Sequence, residues 1–240
     1  METIVIAIVN RKGGVGKTTT AKNLSYSLAL MNKKVLLIDL DPQCNSTKGL
    51  SSRNFNNTVN EVLENGKLKR CIYSLRFGFD IVPGNQLLAS HQFDENTLSY
   101  AINSIKGEYD YIIIDSSPYF NELTAELLLC SDEVIIPTEV EVDALDAMTT
   151  TIAELDTLNN GKTKYTLLFT KVTNLKTVHD DINELDSIFK SSRFKTIIRY
   201  HSYAVTRARK LSLPLAKKYK KASVTKDYLS LAKEIAGGKQ

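Results

Sequence analysis

Apolar, β-branched runs recur along the chain, with stretches of helical spacing between them. Runs at 4–9, 35–39, 79–82, 111–115, 133–137, 165–170 and 196–198 read as strands, several continuous enough to be buried on both faces. Helical spacing falls near 17–31, 58–65, 86–105, 121–130, 143–159, 179–190 and 224–236. The alternation predicts an α/β fold: a mostly parallel, twisted β-sheet flanked by helices on both faces. Ligands of such folds bind past the carboxyl ends of the strands, so the residues following each run are the ones to read. No repeat, low-complexity tract or Pro/Gly/Ser-rich linker interrupts the pattern, and residues 1–240 are expected to form a single domain. No apolar run approaches the length of a membrane span.

The first run leads directly into Lys12, Gly13, Gly14, Val15, Gly16, Lys17, Thr18 and Thr19, and a helical pattern carrying Leu24 and Leu28 follows. A phosphate loop needs glycines where backbone amides approach phosphate oxygens, a lysine for the β/γ charge and a hydroxyl for Mg²⁺. Gly13, Gly14, Gly16, Lys17 and Thr18 meet those needs, and the strand–loop–helix context argues against an ordinary glycine turn. The usual pattern would also have glycine at position 11, where this chain has Arg11, followed by a second lysine, Lys12. The second run ends in Asp39-Leu40-Asp41-Pro42-Gln43, and Pro42 favours the chain's exit from the sheet. Beside a phosphate loop, the two carboxylates can face the phosphates together; without one they would read as a polar turn. The fourth run ends in Asp115, placed to hold Mg²⁺ through a coordinated water.

Composition changes the picture at one end only. The chain has 240 residues, 42% hydrophobic and 24% charged, with a formal net charge of +4. Its basic residues crowd the C-terminal region, about 190–226, as Lys190, Arg193 and Lys195, then Arg207, Arg209 and Lys210, then Lys217, Lys218, Lys220 and Lys221. A basic end on a neutral-to-acidic body suggests a polyanionic partner, whereas a solvated face is the plainer reading of the same charges. Cys44, Cys71 and Cys130 lack metal or redox spacing and read as reduced thiols, Cys130 on a buried helix end. His91, His179 and His201 have no ligand spacing and read as surface or capping residues.

These segments together resemble the ParA/Soj/MinD family of deviant Walker-A P-loop ATPases, whose loop carries an extra signature lysine. The resemblance runs nearly end to end: the loop with Thr20, Ala21, Asn23 and Leu24; Val35 to Gln43; Tyr111 to Pro118; Asp132 to Pro137; and Tyr228 to Glu234. The Asp39–Gln43 segment looks most like the ParA/Soj branch that partitions plasmids or chromosomes. The resemblance implies ATP and Mg²⁺ as cofactors, with the amides of Gly14 to Thr19 cradling phosphates, Lys17 neutralising them and Thr18 on the metal. It implies that Lys12 reaches the nucleotide of a second subunit, that Asp41 orients the attacking water, that Asp39 supports the metal region and that Asp115 holds the metal. Adenine contacts are expected from Thr170, Lys171, Arg199 and His201, although the chain lacks the family's Ile-Pro-Arg-Asn there.

By the same resemblance, the ATP-bound homodimer would bind non-specific DNA through the basic clusters. A ParB-type centromere-binding protein would stimulate slow hydrolysis, and the protein would be cytoplasmic and nucleoid-associated. The residues from Glu234 to Gln240 lack the apolar face with which a MinD-type end lies on a membrane, so no membrane partner is expected. Two rivals stand beside this reading. One is a P-loop ATPase or kinase acting on a small molecule or cluster protein; the other is a ParA-like positioning ATPase for a non-DNA cargo. Cys44 also departs from the family, standing where glycine is frequent, and is expected to stiffen the segment after Asp41.

Overall fold

Side chains alternate across a strand, so a strand with a core on each face must be apolar almost throughout. β1 (Ile4–Ile8) sends Val5 and Ala7 into one core, and Ile6 and Ile8 into the other. β2 (Val35–Leu40) divides Leu36 and Ile38 from Val35 and Leu37, and β5 (Tyr111–Ser116) divides Ile112 and Ile114 from Ile113. The computed structural model describes residues 2–89, 94–119, 121–140, 142–158, 164–173, 182 and 193–237. Its remaining strands are β3 (Tyr73–Ser74), β4 (Asp80–Val82), β6 (Glu133–Glu139) and β7 (Tyr165–Thr170). The helices are α1 (Lys17–Ala29), α2 (Asn45–Lys48), α3 (Val59–Asn65), α4 (Thr97–Asn103), α5 (Glu122–Cys130), α6 (Val142–Leu158), α7 (Ser202–Lys210), α8 (Leu215–Lys218) and α9 (Ser223–Gly237).

The seven strands lie in the order β3-β4-β2-β5-β1-β6-β7, and every pair is parallel except β3 with β4. Helices α3, α4, α5 and α6 cover one face through Val62, Leu98, Leu127 and Met148, among others. Helices α1, α7, α8 and α9 cover the opposite face. α9 shows why: Val224, Tyr228, Leu231, Ala232 and Ile235 repeat at helical spacing and are all buried. Each buried Val, Leu or Ile among them contributes about 1.5–3 kcal/mol by leaving water, so the sheet and its two covers stand or fall together. This is the expected α/β architecture in a single domain-sized layer stack. The parallel register sets Asp115 level with both Ile8 and Asp39, which brings the exits of β1, β5 and β2 side by side.

Several elements differ from the periodicity. Residues 196–198 do not form a strand. The segment 193–200 runs beside β7 through Phe194 N to Leu167 O, Ile198 N to Phe169 O and Tyr200 N to Val172 O, giving isolated bridges only. The amides between them are diverted: Lys195 N and Thr196 N donate to the two carboxylate oxygens of Glu234, at 2.7 and 2.9 Å, so the ladder cannot close. The stretch 86–105 breaks into a 3-10 turn at Gln86–Ala89 and α4, whose N-cap Asn96 is left-handed at φ 67°. Short elements such as α2, β3 and α8 lie below the length at which periodicity speaks, and α7 falls in a region read only for charge. The helix expected at 179–190 lies outside the described residues except at Ile182. All three cysteines are free and buried, Cys130 at the end of α5 as expected. His201 caps α7, its ring Nδ1 accepting from Ala204 N at 3.4 Å; His91 and His179 lie outside the described residues.

Candidate functional site

Past β1 the chain needs a turn that exposes backbone amides, and its glycines supply one. Gly14 and Gly16 take φ of 83° and 101°, a left-handed backbone that only glycine adopts at low cost. Gly16 is the N-cap of α1 and offers no side chain to cap it, so the first amides of the helix are left for an anion. The loop is braced from both sides. Asn10 donates from its amide to Pro137 O and accepts from Lys12 N, both at 2.8 Å, while the Thr170 hydroxyl donates to Val15 O at 2.7 Å. Lys17 folds back over the loop, its ammonium donating to Asn10 O at 2.7 Å and Lys12 O at 3.2 Å. It is 7% exposed, and burial lowers its pKa against the opposing pull of Asp115 and Asp41.

The carboxylates face this loop from β2 and β5. Asp115 is fully buried: Oδ2 accepts from the Ser46 hydroxyl at 2.8 Å, whereas Oδ1 has no hydrogen-bond partner. Asp39 is also fully buried, but its oxygens are occupied, Oδ1 by Asp41 N at 3.3 Å and Oδ2 by Thr47 N and Oγ1 at 2.8 and 2.7 Å. Both carboxyls have raised pKa values, first because burial penalises their charge; the charge of Asp41 adds to both and that of Asp39 adds to Asp115, while Thr47 and Asp41 N oppose the shift at Asp39 and Ser46 and Thr18 oppose it at Asp115. Asp41, 6% exposed, holds Gln43 N at 2.9 Å. Between loop and carboxylates opens a cavity of about 850 Å³ lined by Gly13, Gly14, Gly16, Lys17, Thr18, Thr19 and Asp41, with Ser116, Ser117 and Pro118 opposite. Its size suits a nucleotide.

A metal fits this cavity only with a ligand's help. Among the described residues no group of three or more His, Cys, Asp or Glu could hold an ion. Thr18 and Asp41 line the cavity, and Asp115, fully buried and not itself on the wall, keeps an unpartnered Oδ1; this is the kind of sparse oxygen set that Mg²⁺ accepts when phosphates and waters complete its shell. Asp39 does not line the cavity; it ties α2 to the sheet, and a side chain at Gly84 would come within 2.9 Å of its carboxyl carbon.

The remaining expected positions separate. Lys12 is half-buried, does not line the cavity and has no side-chain partner among the described residues. Thr170, Lys171, Arg199 and His201 do not line it either. Thr170 backs the loop, the Lys171 ammonium pairs with Glu139 at 2.8 Å, and Arg199 is engaged by Asp227, Nε to Oδ2 at 3.0 Å and Nη2 to Oδ1 at 2.6 Å. Of the basic positions, Lys195, Arg207, Arg209, Lys210, Lys217, Lys218, Lys220 and Lys221 are exposed; Arg193 is half-buried and donates to Phe194 O. Lys190 lies outside the described residues. Arg209 also lines the cavity and acts electrostatically on Lys22, which burial and Arg209 push down in pKa while Asp115 and Asp39 pull it up.

Lys22, Asn23 and the α7–α8 residues Val205, Thr206, Leu213 and Leu215 are cavity-lining residues the sequence reading missed. Lys22 and Asn23 stand one helical turn beyond Thr18 and Thr19, a spacing that could have found them. Cys44, at the position where glycine is frequent in the family, takes φ 52°, a left-handed backbone in which glycine would be unstrained.

A phosphate loop opening a helix at the carboxyl end of a parallel sheet, with carboxylates on the adjacent strand β5 and on β2 beyond it, defines a P-loop nucleoside triphosphatase. A family profile described as AAA domain matches residues 3–167. The Bacillus subtilis sporulation initiation inhibitor protein Soj is 31% identical over 261 residues, covering 97% of this chain and 98% of its own. An uncharacterised Pseudomonas putida protein is 41% identical over 155 residues; that match covers 60% of this chain and 59% of the relative. Among solved structures, the septum site-determining protein MinD of Pyrococcus horikoshii, complexed with Mg-ADP, aligns with a TM-score of 0.81 at 25% identity over 99% of each chain. The chain belongs to the ParA/Soj-type ATPases of the ParA/MinD deviant Walker-A family.

Proposed function

We propose that this chain is an ATP-dependent partition ATPase for plasmid or chromosomal DNA. ATP with Mg²⁺ drives a homodimer, the dimer binds DNA without sequence preference, and a ParB-type partner stimulates hydrolysis and release. The observation that carries this reading is the unlike disposition of two lysines in one loop. Lys17 lies buried over its own loop, while Lys12 stands outside the cavity wall. A cation that does not serve its own site supports use in a partner's site, where it would stabilise charge developing on the transferred phosphoryl as an arginine finger does.

In this reading the orphan amides of the loop and of the first turn of α1 hold the phosphates, and Lys17 moves from its carbonyl acceptors onto them. Thr18 and Asp115 would hold Mg²⁺, which would supply positive charge to offset that of the phosphates. Asp41 orients the attacking water. Its Oδ1 is already engaged by Gln43 N, which leaves it less free to hold a water and supports slow turnover that a partner raises. Phosphate contacts from Lys195, Arg207, Lys210, Lys217, Lys218, Lys220 and Lys221 would be sequence-blind, and dimerisation doubles that surface. Among the described residues no helix is long and apolar enough to cross a membrane. A cytoplasmic, nucleoid-associated ATPase is the setting this reading implies.

Fluorescence anisotropy with a duplex of arbitrary sequence, at low salt, tests the reading. ATP is expected to tighten binding at least about ten-fold, and added salt to weaken it steeply. Absent binding, or binding indifferent to ATP, would overturn it. ATP hydrolysis that ignores DNA and responds to a small-molecule acceptor would point to the enzyme rival instead.

A further inference from the structure

The phosphate cradle and the basic C-terminal face are joined by two side-chain hydrogen bonds that the phosphate motif itself does not require. On one route, Asn23 donates from Nδ2 to Thr19 O at 2.7 Å and accepts from Leu215 N at 2.8 Å, so the first turn of α1 is bonded to the start of α8. On the other, Ser46 in α2 donates to Asp115 while the Lys48 carbonyl at its far end accepts from the Ser212 hydroxyl at 2.9 Å. Ser212 sits in the turn between α7 and α8 with φ 49°, a backbone a non-glycine residue keeps only when its surroundings hold it. The two bonds therefore end on the turn, at Ser212, and on the first residue of α8, at Leu215, between Arg207 and Lys210 on one side and Lys217 and Lys218 on the other.

We propose that Ser212 and Asn23 are positioning residues that carry nucleotide occupancy from the phosphate loop to the α7–α8 face. The physical basis is that each route begins on a group the nucleotide must disturb. Phosphates gathered by the amides of Thr18 and Thr19 re-set the turn whose carbonyl Asn23 holds. A ligand that claims Asp115 competes for the acceptor of Ser46, and α2 is four residues long, so a change at Ser46 is felt at the Lys48 carbonyl. The turn then moves with α2 and α1, and the exposed cations on either side of it change their spacing. The inference deepens the proposed function and rests on it for its DNA consequence, but the transmission itself can be read without DNA.

The test uses the full chain and three proteins: wild type, Ser212→Gly and Ser212→Asn. Glycine suits the left-handed backbone and removes the hydroxyl; asparagine tolerates the same backbone and keeps a donor. Hydrogen exchange of amides 211–218 is followed with and without ATP, alongside DNA affinity in both states and ATP affinity by fluorescent nucleotide. In wild type, ATP should change exchange across 211–218. In Ser212→Gly that change should shrink and the ratio of DNA affinities with and without ATP should fall about five-fold, the worth of one hydrogen bond. ATP affinity should hold, and Ser212→Asn should restore both readouts.

Wild-type exchange that ignores ATP overturns the inference whatever DNA does. So does a glycine variant indistinguishable from wild type, or an asparagine variant as impaired as glycine. If exchange responds to ATP and Ser212→Gly abolishes the response, yet wild type binds no DNA, the transmission stands and the partition reading fails.

Discussion

The two ends of this molecule handle charge in opposite ways. At the phosphate loop, Lys17, Asp39, Asp41 and Asp115 are all less than 9% exposed, and each is held by named backbone or hydroxyl groups. At the C-terminal face, Lys210, Lys217, Lys218, Lys220 and Lys221 stand in solvent. Buried charge is costly and is retained only where geometry repays it, so each residue of the first region has one position it can occupy. Exposed cations cost little and act on a polyanion by number more than by place. The contrast teaches that the first region should fail at single substitutions and the second only at several.

The largest effect should come from Lys17→Ala. It removes the one ammonium folded over the loop, and nucleotide affinity should fall by at least about two orders of magnitude, with loss of ATP-driven dimers by light scattering. Lys12→Ala sharpens the contrast within a single loop. Nucleotide affinity should survive within a few-fold while ATP turnover is lost, because Lys12 does not line the cavity. Loss of nucleotide binding in Lys12→Ala would break the assignment of a trans role. Next in size is the combined Lys217→Ala, Lys218→Ala, Lys220→Ala and Lys221→Ala variant. Each lost phosphate contact lowers the salt slope of DNA binding by about 0.9, so a slope reduced by about 2–4 with unchanged ATP affinity is expected. If one of the four single variants reproduced the whole loss, the C-terminal face would be a specific site and the contrast would collapse.

The same contrast governs what the sequence could reveal. The loop from Lys12 to Thr19 was legible because catalysis on phosphates demands particular residue types at fixed spacing. The strands were legible because burial on both faces forces apolar runs such as 111–114. Arg209 was read only as a surface cation because charge carries no spacing requirement, and the structure places it on the cavity wall as well. Arg199 stood in sequence as a free cation beside the adenine, yet Asp227, 28 residues away, holds it in a forked pair that only the packing of α9 could disclose. The expected strand at 196–198 failed for a similar reason, since Glu234 takes the amides that a ladder would need.

A smaller effect, on stability, should come from Gly84→Ala. The new methyl would meet the Asp39 carboxyl carbon at 2.9 Å and its backbone oxygen at 3.1 Å, and Asp39 cannot yield while Thr47 and Asp41 hold it. A loss of about 1–3 kcal/mol in denaturant unfolding is expected. An unchanged midpoint would show that the carboxylate cluster is looser than its hydrogen bonds imply.

The smallest effect is a slope against pH. Burial and the neighbouring charge of Asp39 raise the folded-state pKa of Asp115, so between the ordinary carboxylate value of about 4 and that raised value the folded chain holds more protons than the unfolded one. A group of this kind favours the fold when protonated, and its contribution declines as pH rises through that window. The nucleotide-free protein in chelator should therefore lose melting temperature from pH 5 to pH 8 through this pair. Asp115→Asn removes one of the two buried carboxyls whose pKa is raised, so its melting temperature should fall less over the same interval and exceed the wild type's most clearly at pH 8. An equal decline in both proteins would mean that the buried carboxylates carry less of their charge penalty than their burial requires.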